Sequence, residues 1–539
     1  MIAVVASAVE HPIIREFFEL FKTPWEFYRH GVDYDVMLCS GVQLVESSAK
    51  LVVVFNRQRD SVNEGSDLLK SRPGTRTLVS SSGDRIPIYG GCVTFKGGTP
   101  LLTEQGSGGC ASFETIAKGQ RIVRLGYDLF HEIRHLLDQG QPACQAEVPT
   151  LELHICILRD LILGSSLPLV EIPPVPAGYK FIACLTHDVD HPCLRNHFCD
   201  HTMFGFCYRA TVGSVVGFFR RRKSLKQLGM NWLATISLPL VYLRLIKDTW
   251  QQFGRYLEIE KGLTSTFFVI PRNGSPTINA AGCTRGERAV KYSAAEIADQ
   301  LQVLQAAGRE IGLHGFDAWG DSDLGCQERR QLASLTGSSE IGVRMHWLCF
   351  DENSPVTLER AGFSYDSSVG YNETIGYRAG TLQVFKPLAA NRILELPMHL
   401  MDTALFFPYF LNLSPQQPQL IVQRLVENAM RFGGVLTINW HDRSVAPERL
   451  WDEFYIQLLA ELKQRGAWIT TGAKAVAWFR KRRSAIFEEA GRDGAEPALK
   501  ASTDQEGDKL PALKKTIHKS SRQSADLTSA LEQACASWP

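Results

Sequence analysis

Hydrophobic and polar positions alternate most clearly beyond Lys180, where apolar runs of strand length recur at residues 181–185, 265–270, 310–313, 341–344, 393–398, 435–440 and 467–470. Amphipathic stretches separate several of them. Over residues 293–307, Ser293 and Glu296 form an S-x-x-E capping pair, Ile297, Leu301 and Leu304 share one helical face, and Gly308 supplies a left-handed stop. A similar helix is predicted over 414–432, ending at Gly433 and Gly434. Strand–helix–strand repetition requires crossovers and so predicts a parallel sheet with helices outside it. Seven strands are enough for a closed or nearly closed barrel, in which working residues sit at the carboxyl ends of strands.

The flanking regions read differently. Residues 1–150 mix strand-like runs, such as 51–55 and 86–89, with a Ser/Gly-rich stretch near 79–83, and predict a smaller mixed α/β domain of unknown role. Leu129, Ile133 and Leu137 fall at i, i+4, i+8 within YDLFHEIRHLLD, and a second apolar helix follows over 150–163. Residues 151–179 are expected to be a helical linker that ends in the proline-rich run EIPPVPAG, where no helix continues. The barrel is expected over 180–483. From residue 484 the chain is rich in Ala, Ser, Lys, Glu, Asp and Gly, a composition that predicts a disordered tail over 484–539.

A chain of 539 residues is too long for one ordinary core, and a net charge of +1 gives no bias toward nucleic acid. The start MIAVVASAVEHPIIREFF has neither the basic opening nor the long apolar run of a secretory signal, so a cytoplasmic location is expected, with membrane association as the alternative. Residues 232–246 are the most membrane-like, yet Pro239 and Arg244 interrupt them and they fall short of the roughly 20 residues a spanning helix needs. They read as a buried or surface-docking helix, with monotopic membrane contact as a second possibility. Thirteen cysteines without a CxxC pair suit reduced thiols. Cys193, His197, Cys199, His201 and Cys207 cluster, but at no standard zinc-module spacing.

Candidate chemistry gathers at the strand ends. In THDVD, Asp188 and Asp190 point to one side if the backbone stays extended, which suits one carboxylate to a metal ion and the other to accepting a proton. A polar strand-to-loop turn is the plain alternative. Further strand ends carry His314 in EIGLHG, Arg344 and His346 in GVRMHW, His399 and Asp402 in LPMHLMD, and His441 and Asp442 in NWHD.

Taken in order, THDVD, STFFVIP, EIGLHG, the R-x-H of Arg344 and His346, AGFSYDSS and NWH resemble the motifs of the polysaccharide deacetylase family, also called carbohydrate esterase family 4 or NodB homology domains. The resemblance covers about residues 181–483 and is nearest to the bacterial branch whose first motif reads THDVD. It implies a distorted (β/α) barrel that hydrolyses N- or O-acetyl groups on sugars with a divalent metal ion, typically zinc. By position, Asp188 matches the catalytic base, Asp190 the metal carboxylate, His314 the first metal histidine, Arg344 the arginine that holds the base, and His441 the general acid.

Two departures stand out. The second metal histidine should fall at residue 318, which is Ala318, and the proline of the usual R-x-P is His346. His346 is therefore the expected third ligand, with Asp317 or Asp321 as lesser substitutes. His187, Asp317, Arg378, His399 and Asp402 are expected as supporting or substrate-binding groups, Arg378 toward an acidic substrate group. Trp319, Trp347 and Trp440 are candidates either for stacking on sugar rings or for core packing. The expected partner is a carbohydrate or acetylated glycan. Two alternatives remain open at this point: a carbohydrate-binding barrel that has lost its metal, and a metal hydrolase of another C–N or ester bond.

Overall fold

The computed structural model describes residues 1–40, 47–55, 68–72, 75–96, 100–117, 119–279, 285–414, 418–487, 499–500 and 510–519. The chain divides into two compact units, the first from the described residues of 1–177, 379–381 and 480–539, the second from those of 178–378 and 382–479.

In the first unit, Val36–Ser40 and Leu51–Phe55 are buried at every position, as interior strands of a covered parallel sheet must be. They form the middle of a six-stranded sheet in the order Ser112–Ala117, Gln120–Leu125, Leu51–Phe55, Val36–Ser40, Ile2–Val5, Trp25–Phe27. Only the hairpin of Ser112–Ala117 with Gln120–Leu125 is antiparallel. The helix expected near 127–138 runs Leu129–Asp138, capped by the Asp128 side chain, which accepts from the amides of Phe130 and His131. The segment read as a linker holds the helix Thr150–Gly164 and the strand Leu169–Glu171, and both belong to this unit. Within the stretch expected to be disordered, Thr516–His518 pairs antiparallel with Leu169–Glu171, so main-chain hydrogen bonds order what its composition alone would not. Most of the remaining tail lies outside the described residues.

Among the described residues the second unit holds seven strands: β1 Phe181–Val189, β2 Thr266–Val269, β3 Glu310–Gly315, β4 Val343–Met345, β5 Leu400–Met401, β6 Val435–Asn439 and β7 Ala467–Thr470. Their order is β4-β3-β2-β1-β6-β5, with β7 also on β1, and every pair is parallel. β1 is long enough to share one edge between two neighbours, β7 along residues 181–184 and β2 along 186–189, while β6 takes the other edge. The curled sheet closes only through single-residue bridges, Val343 to Asp366 and Asp366 to Glu395, before β5 pairs with β6. This is the distorted barrel that the motifs imply. The strand expected over 393–398 is reduced to the bridge at Glu395 because Pro397 has no N–H to donate to a ladder, and regular pairing begins at Leu400.

Helices pack outside. The capping pair of Ser293 and Glu296 forms as expected, leading a short 3₁₀ turn into the helix Ala298–Ala306. The helix expected over 414–432 is described from Pro418 to Phe432. Between β1 and β2 the chain makes a helical excursion that includes His201–Tyr208, Ser214–Phe219, Leu225–Ile236 and Leu238–Tyr242. The expected helix over 232–246 is thus broken near Pro239. Among the described residues no cysteine forms a disulfide.

Candidate active site

Residue parity along the strands builds the site. Side chains alternate across a strand, and laterally paired residues in neighbouring strands face the same side. The register pairs Thr186 with Asn439, Asp188 with Phe268, Phe268 with Gly312, and His314 with Arg344. Stepping by two therefore sets Thr186, Asp188 and Asp190, His314, Arg344 and His346, and Asn439 and His441 on one face, at the carboxyl ends of four strands. Gly312 makes room within it: a Cβ there would lie 2.6 Å from the Phe268 ring, over which the Arg344 guanidinium sits at 4.5 Å.

Asp190, His314 and His346 converge, with ligand atoms all within 4.8 Å of one another. Asp190 Oδ1 lies 3.3 Å from His314 Nε2 and 3.7 Å from His346 Nε2. Two ligands about 2.1 Å from a tetrahedral ion stand about 3.4 Å apart, so these spacings suit one shared cation. Asp190 Oδ1 is buried and accepts no hydrogen bond among the described residues. His314 donates from Nδ1 to the Arg344 carbonyl at 3.0 Å, which turns Nε2 toward the carboxylate and fixes the ring. Burial pushes the His346 imidazole down to about 3, keeping it neutral, the form that ligates metals. Burial works against ionised Asp190, but His314, His346 and His441 around it hold the carboxyl well below its ordinary range. The donor set, two imidazoles and a carboxylate, fits a divalent ion such as zinc.

Asp188, beside the triad, is held from three directions. Arg344 Nη1 donates to Oδ1 at 3.0 Å, Asn439 Nδ2 donates to Oδ2 at 2.8 Å, and the Asp188 amide donates back to Asn439 Oδ1 at 3.2 Å. Burial would raise its pKa, yet Arg344 and the nearby histidines keep it below the usual carboxylate value. Arg344, fully buried, is itself fixed by bonds to Thr186 Oγ1, Ser367 Oγ and the Ser367 carbonyl. Asn439 and Ser367 lie within the NWH and AGFSYDSS motifs, which assigned neither of them a part. Asn439 ends β6, two residues before His441.

His441 faces the triad from the opposite side, its Nε2 3.8 Å from Asp190 Oδ2. Its Nδ1 meets Asp402 Oδ1 at 2.6 Å, while Asp402 Oδ2 accepts from the His441 amide at 2.7 Å and from the Ser444 hydroxyl. Burial opposes protonation, but Asp402 and the other carboxylates lift His441 to about 9. Asp402 therefore supports His441 rather than a metal ligand.

Four supporting residues fall elsewhere. His187, at an odd position of β1, turns away from the site and bridges Glu260 and the Trp440 carbonyl, both at 2.7 Å. Asp317 is consumed by Arg272 and by donors of Thr277 and Ile278, and Asp321 caps the helix Ser322–Thr336, so neither serves as a ligand. Arg378 is exposed and donates to the Gly370 carbonyl. His399 accepts from the Thr437 amide within the sheet. Ala318 is fully buried against the helix Ser322–Thr336, where even a Cβ on Gly325 would come within 3.0 Å of its own Cβ. An imidazole at 318 has no room there. The Cys193 to Cys207 cluster forms no metal group among the described residues; His197 instead bonds Asp200 and His191.

A cavity of about 520 Å³ opens over the triad. Its wall includes Asp188, Asp190, His314, His346 and His441, with Arg443 and Arg449, and its rim carries Trp347, Tyr409 and Phe410. Trp347 and Leu348 both adopt left-handed φ, +63° and +52°, a costly conformation for bulky residues that holds the indole half-exposed at the mouth. Trp440, by contrast, is buried and stacks on Phe454 and Tyr455, so it belongs to the core.

No protein-family model matches the chain, and no curated protein matches it. Solved structures do. A protein of Mycobacterium smegmatis named as a polysaccharide deacetylase is 18% identical, covering 57% of this chain and 94% of its own, with a TM-score of 0.35. One of Pseudomonas aeruginosa PAO1, named likewise, is 15% identical with the same coverages and a TM-score of 0.34. The peptidoglycan deacetylase PdaC from Bacillus subtilis is 12% identical, again over 57% and 94%, at 0.25.

Proposed function

We propose that this protein is a metal-dependent hydrolase that removes N- or O-linked acetyl groups from a carbohydrate, in the metabolism of a surface polysaccharide. One observation carries the reading: a half-buried carboxylate, whose buried Oδ1 has no hydrogen-bond partner among the described residues, faces two imidazole nitrogens at ligand spacing, between a second carboxylate and a paired histidine.

Asp190, His314 and His346 would hold the ion, with His346 taking the part that Ala318 cannot. A divalent ion there would supply Lewis acidity, polarising an acyl carbonyl and acidifying water. Asp188 is the general base. Arg344 and Asn439 occupy one lone pair on each of its oxygens and keep it ionised, leaving it able to take a proton from the attacking water. His441, protonated through its pair with Asp402, is the general acid and gives its Nε2 proton to the leaving amine or alkoxide. Arg344 does not touch the reacting atoms; it positions Asp188. Trp347 at the cavity mouth provides an aromatic face for a sugar ring.

Metal analysis of the purified chain, coupled to acetate release from an acetylated glycan, tests the proposal. A stoichiometric divalent metal and metal-dependent acetate release are expected. A metal-free protein that binds glycan without releasing acetate would instead identify a binding barrel.

A further inference from the structure

The helical excursion between β1 and β2 shows the wrong side to water. On Leu225–Ile236 the exposed positions Leu225, Lys226, Gly229, Met230, Trp232, Leu233 and Ile236 fall within one arc of the helix, and all but one are uncharged. The opposite arc, with Asn231 and Ala234, is the buried one. A surface helix of a water-soluble domain has the reverse pattern. Preceding it, Phe204, Tyr208, Val212, Val216 and Phe219 recur every three or four residues as a second exposed stripe, and Leu240, Leu243, Leu245 and Ile246 extend the apolar surface. The inner faces are already occupied, because Phe206, Ala210, Ala234 and Leu238 form a core cluster with Trp250. Among the described residues, these outer side chains stay exposed.

Charge identifies what would cover them. Residues 198–247 carry eight Lys or Arg against one Asp, in a chain whose net charge is only +1. Arg220, Arg221, Lys226, Arg244 and Lys247 are exposed among the apolar side chains, while the lone acid, Asp200, is taken up by Lys291 and His197. A second copy of this chain would bring like charges together. Exposed Phe, Trp, Tyr and Leu flanked by Lys and Arg are what an interfacial helix presents to a bilayer with anionic headgroups. No helix among the described residues is long and apolar enough to cross a membrane, so contact would be from one side.

We infer that residues 198–247 dock this protein onto an anionic lipid surface. The mouth of the catalytic cavity adjoins that surface: Arg222 Nη1 donates to Asn412 Oδ1 at 3.0 Å, tying the excursion to the segment whose Tyr409 and Phe410 rim the cavity. Tyr409 is 89% exposed. Docking would thus bring the cavity to the headgroup layer, where membrane-linked glycan is within reach.

The test is flotation of the full chain with phosphatidylcholine vesicles, with and without phosphatidylglycerol. Binding to the anionic vesicles is expected, reduced by high salt. The variant F204S/L233Q/I236Q should lose at least about a hundredfold in partitioning, since three large apolar side chains would no longer leave water on docking. R220Q/R221Q/K226Q should lose about tenfold or more on anionic vesicles only. Both variants should keep wild-type circular dichroism and any acetate release from a soluble glycan, so failure of docking is separable from failure of the hydrolase reading. No binding by the wild type, equal binding to both vesicle types, or a dimer abolished by the apolar variant in the absence of lipid would each overturn the inference.

Discussion

Replacing His346 with alanine tests the ligand set most directly. In the metal-free protein the substitution should change little. His346 is neutral, and its buried Nδ1 has no hydrogen-bond partner among the described residues, a cost of about 1–3 kcal/mol that alanine removes. Lost ring contacts with His314 and Phe316 act in the opposite direction. The metal-loaded protein should differ sharply. Zinc at a thousandfold excess over its Kd stabilises the native state by about 4.1 kcal/mol. Even outer-shell substitutions weaken metal affinity by about 10–100-fold, and a direct ligand should cost at least the upper value. At the same zinc concentration the excess then falls to about tenfold, leaving roughly 1.4 kcal/mol. The metal-induced rise in Tm should shrink by several degrees, since about 1 kcal/mol moves a domain of this size by about 2–4 °C. Thermal melts with and without zinc, together with competition against a chelator, read both quantities. A318H/H346A should not recover the affinity, because residue 318 faces the helix Ser322–Thr336. An H346A protein with an undiminished zinc-induced shift would refute the assignment.

Three further outcomes follow from the groups around the triad. His441 sits at about 9 and must be protonated to act as the acid, so kcat/KM should fall as pH rises through that value; D402N removes its main partner and should move this basic limb to lower pH, whereas an unmoved limb would exclude His441. Asp188 must be ionised, and its pKa is depressed, so activity should fall only below the ordinary carboxylate range. N439L removes one charge-assisted hydrogen bond worth about 1.5–3 kcal/mol and should raise the acidic limb by about 1–2 pH units, a shift read from the pH–rate profile. D188N should lower kcat by about 10²–10⁴-fold while chelator competition shows zinc affinity close to wild type, and a parallel loss of both would make Asp188 a ligand instead.

Much of this site could be read in the chain because parity is a local property. Two carboxylates two residues apart on an extended strand must share a side, and so must Arg344 with His346 and Asn439 with His441; none of this needs tertiary information. Lateral convergence is different. That His314 lies beside Arg344 depends on register, fixed by pairing across a sequence separation of 30, and the sequence offered only the family's motif order as a guide. The supporting residues were least legible. His187 and Asp317 are polar residues beside catalytic motifs, but their partners, Glu260 and Arg272, lie outside the quoted motifs. The barrel's closing strand escaped for a simpler reason, since an apolar run over 393–398 looks like a strand until Pro397 removes the donor.

The substitution at Ala318 shows why such reading by position has a limit. A ligand is defined by where its nitrogen ends, not by its place in a motif. A histidine one helical turn beyond His314 and a histidine two residues beyond Arg344 on the neighbouring strand are unrelated in sequence, yet either would bring an imidazole to Asp190 if the intervening backbone allowed it. Here Ala318 seals the core against Gly325, while His346, immediately after β4, stands 3.7 Å from the Asp190 carboxylate. Because Arg344 orients Asp188 and lies on the short strand that His346 directly follows, any shift of β4 would move base and ligand together. The coupling gives a specific expectation: substitutions that loosen Ser367, the anchor of Arg344, should weaken metal binding as well as raise the pKa of Asp188. S367A, assayed by chelator competition and pH–rate profile, should change both; a change in the acidic limb alone would mean that His346 is held independently of Arg344.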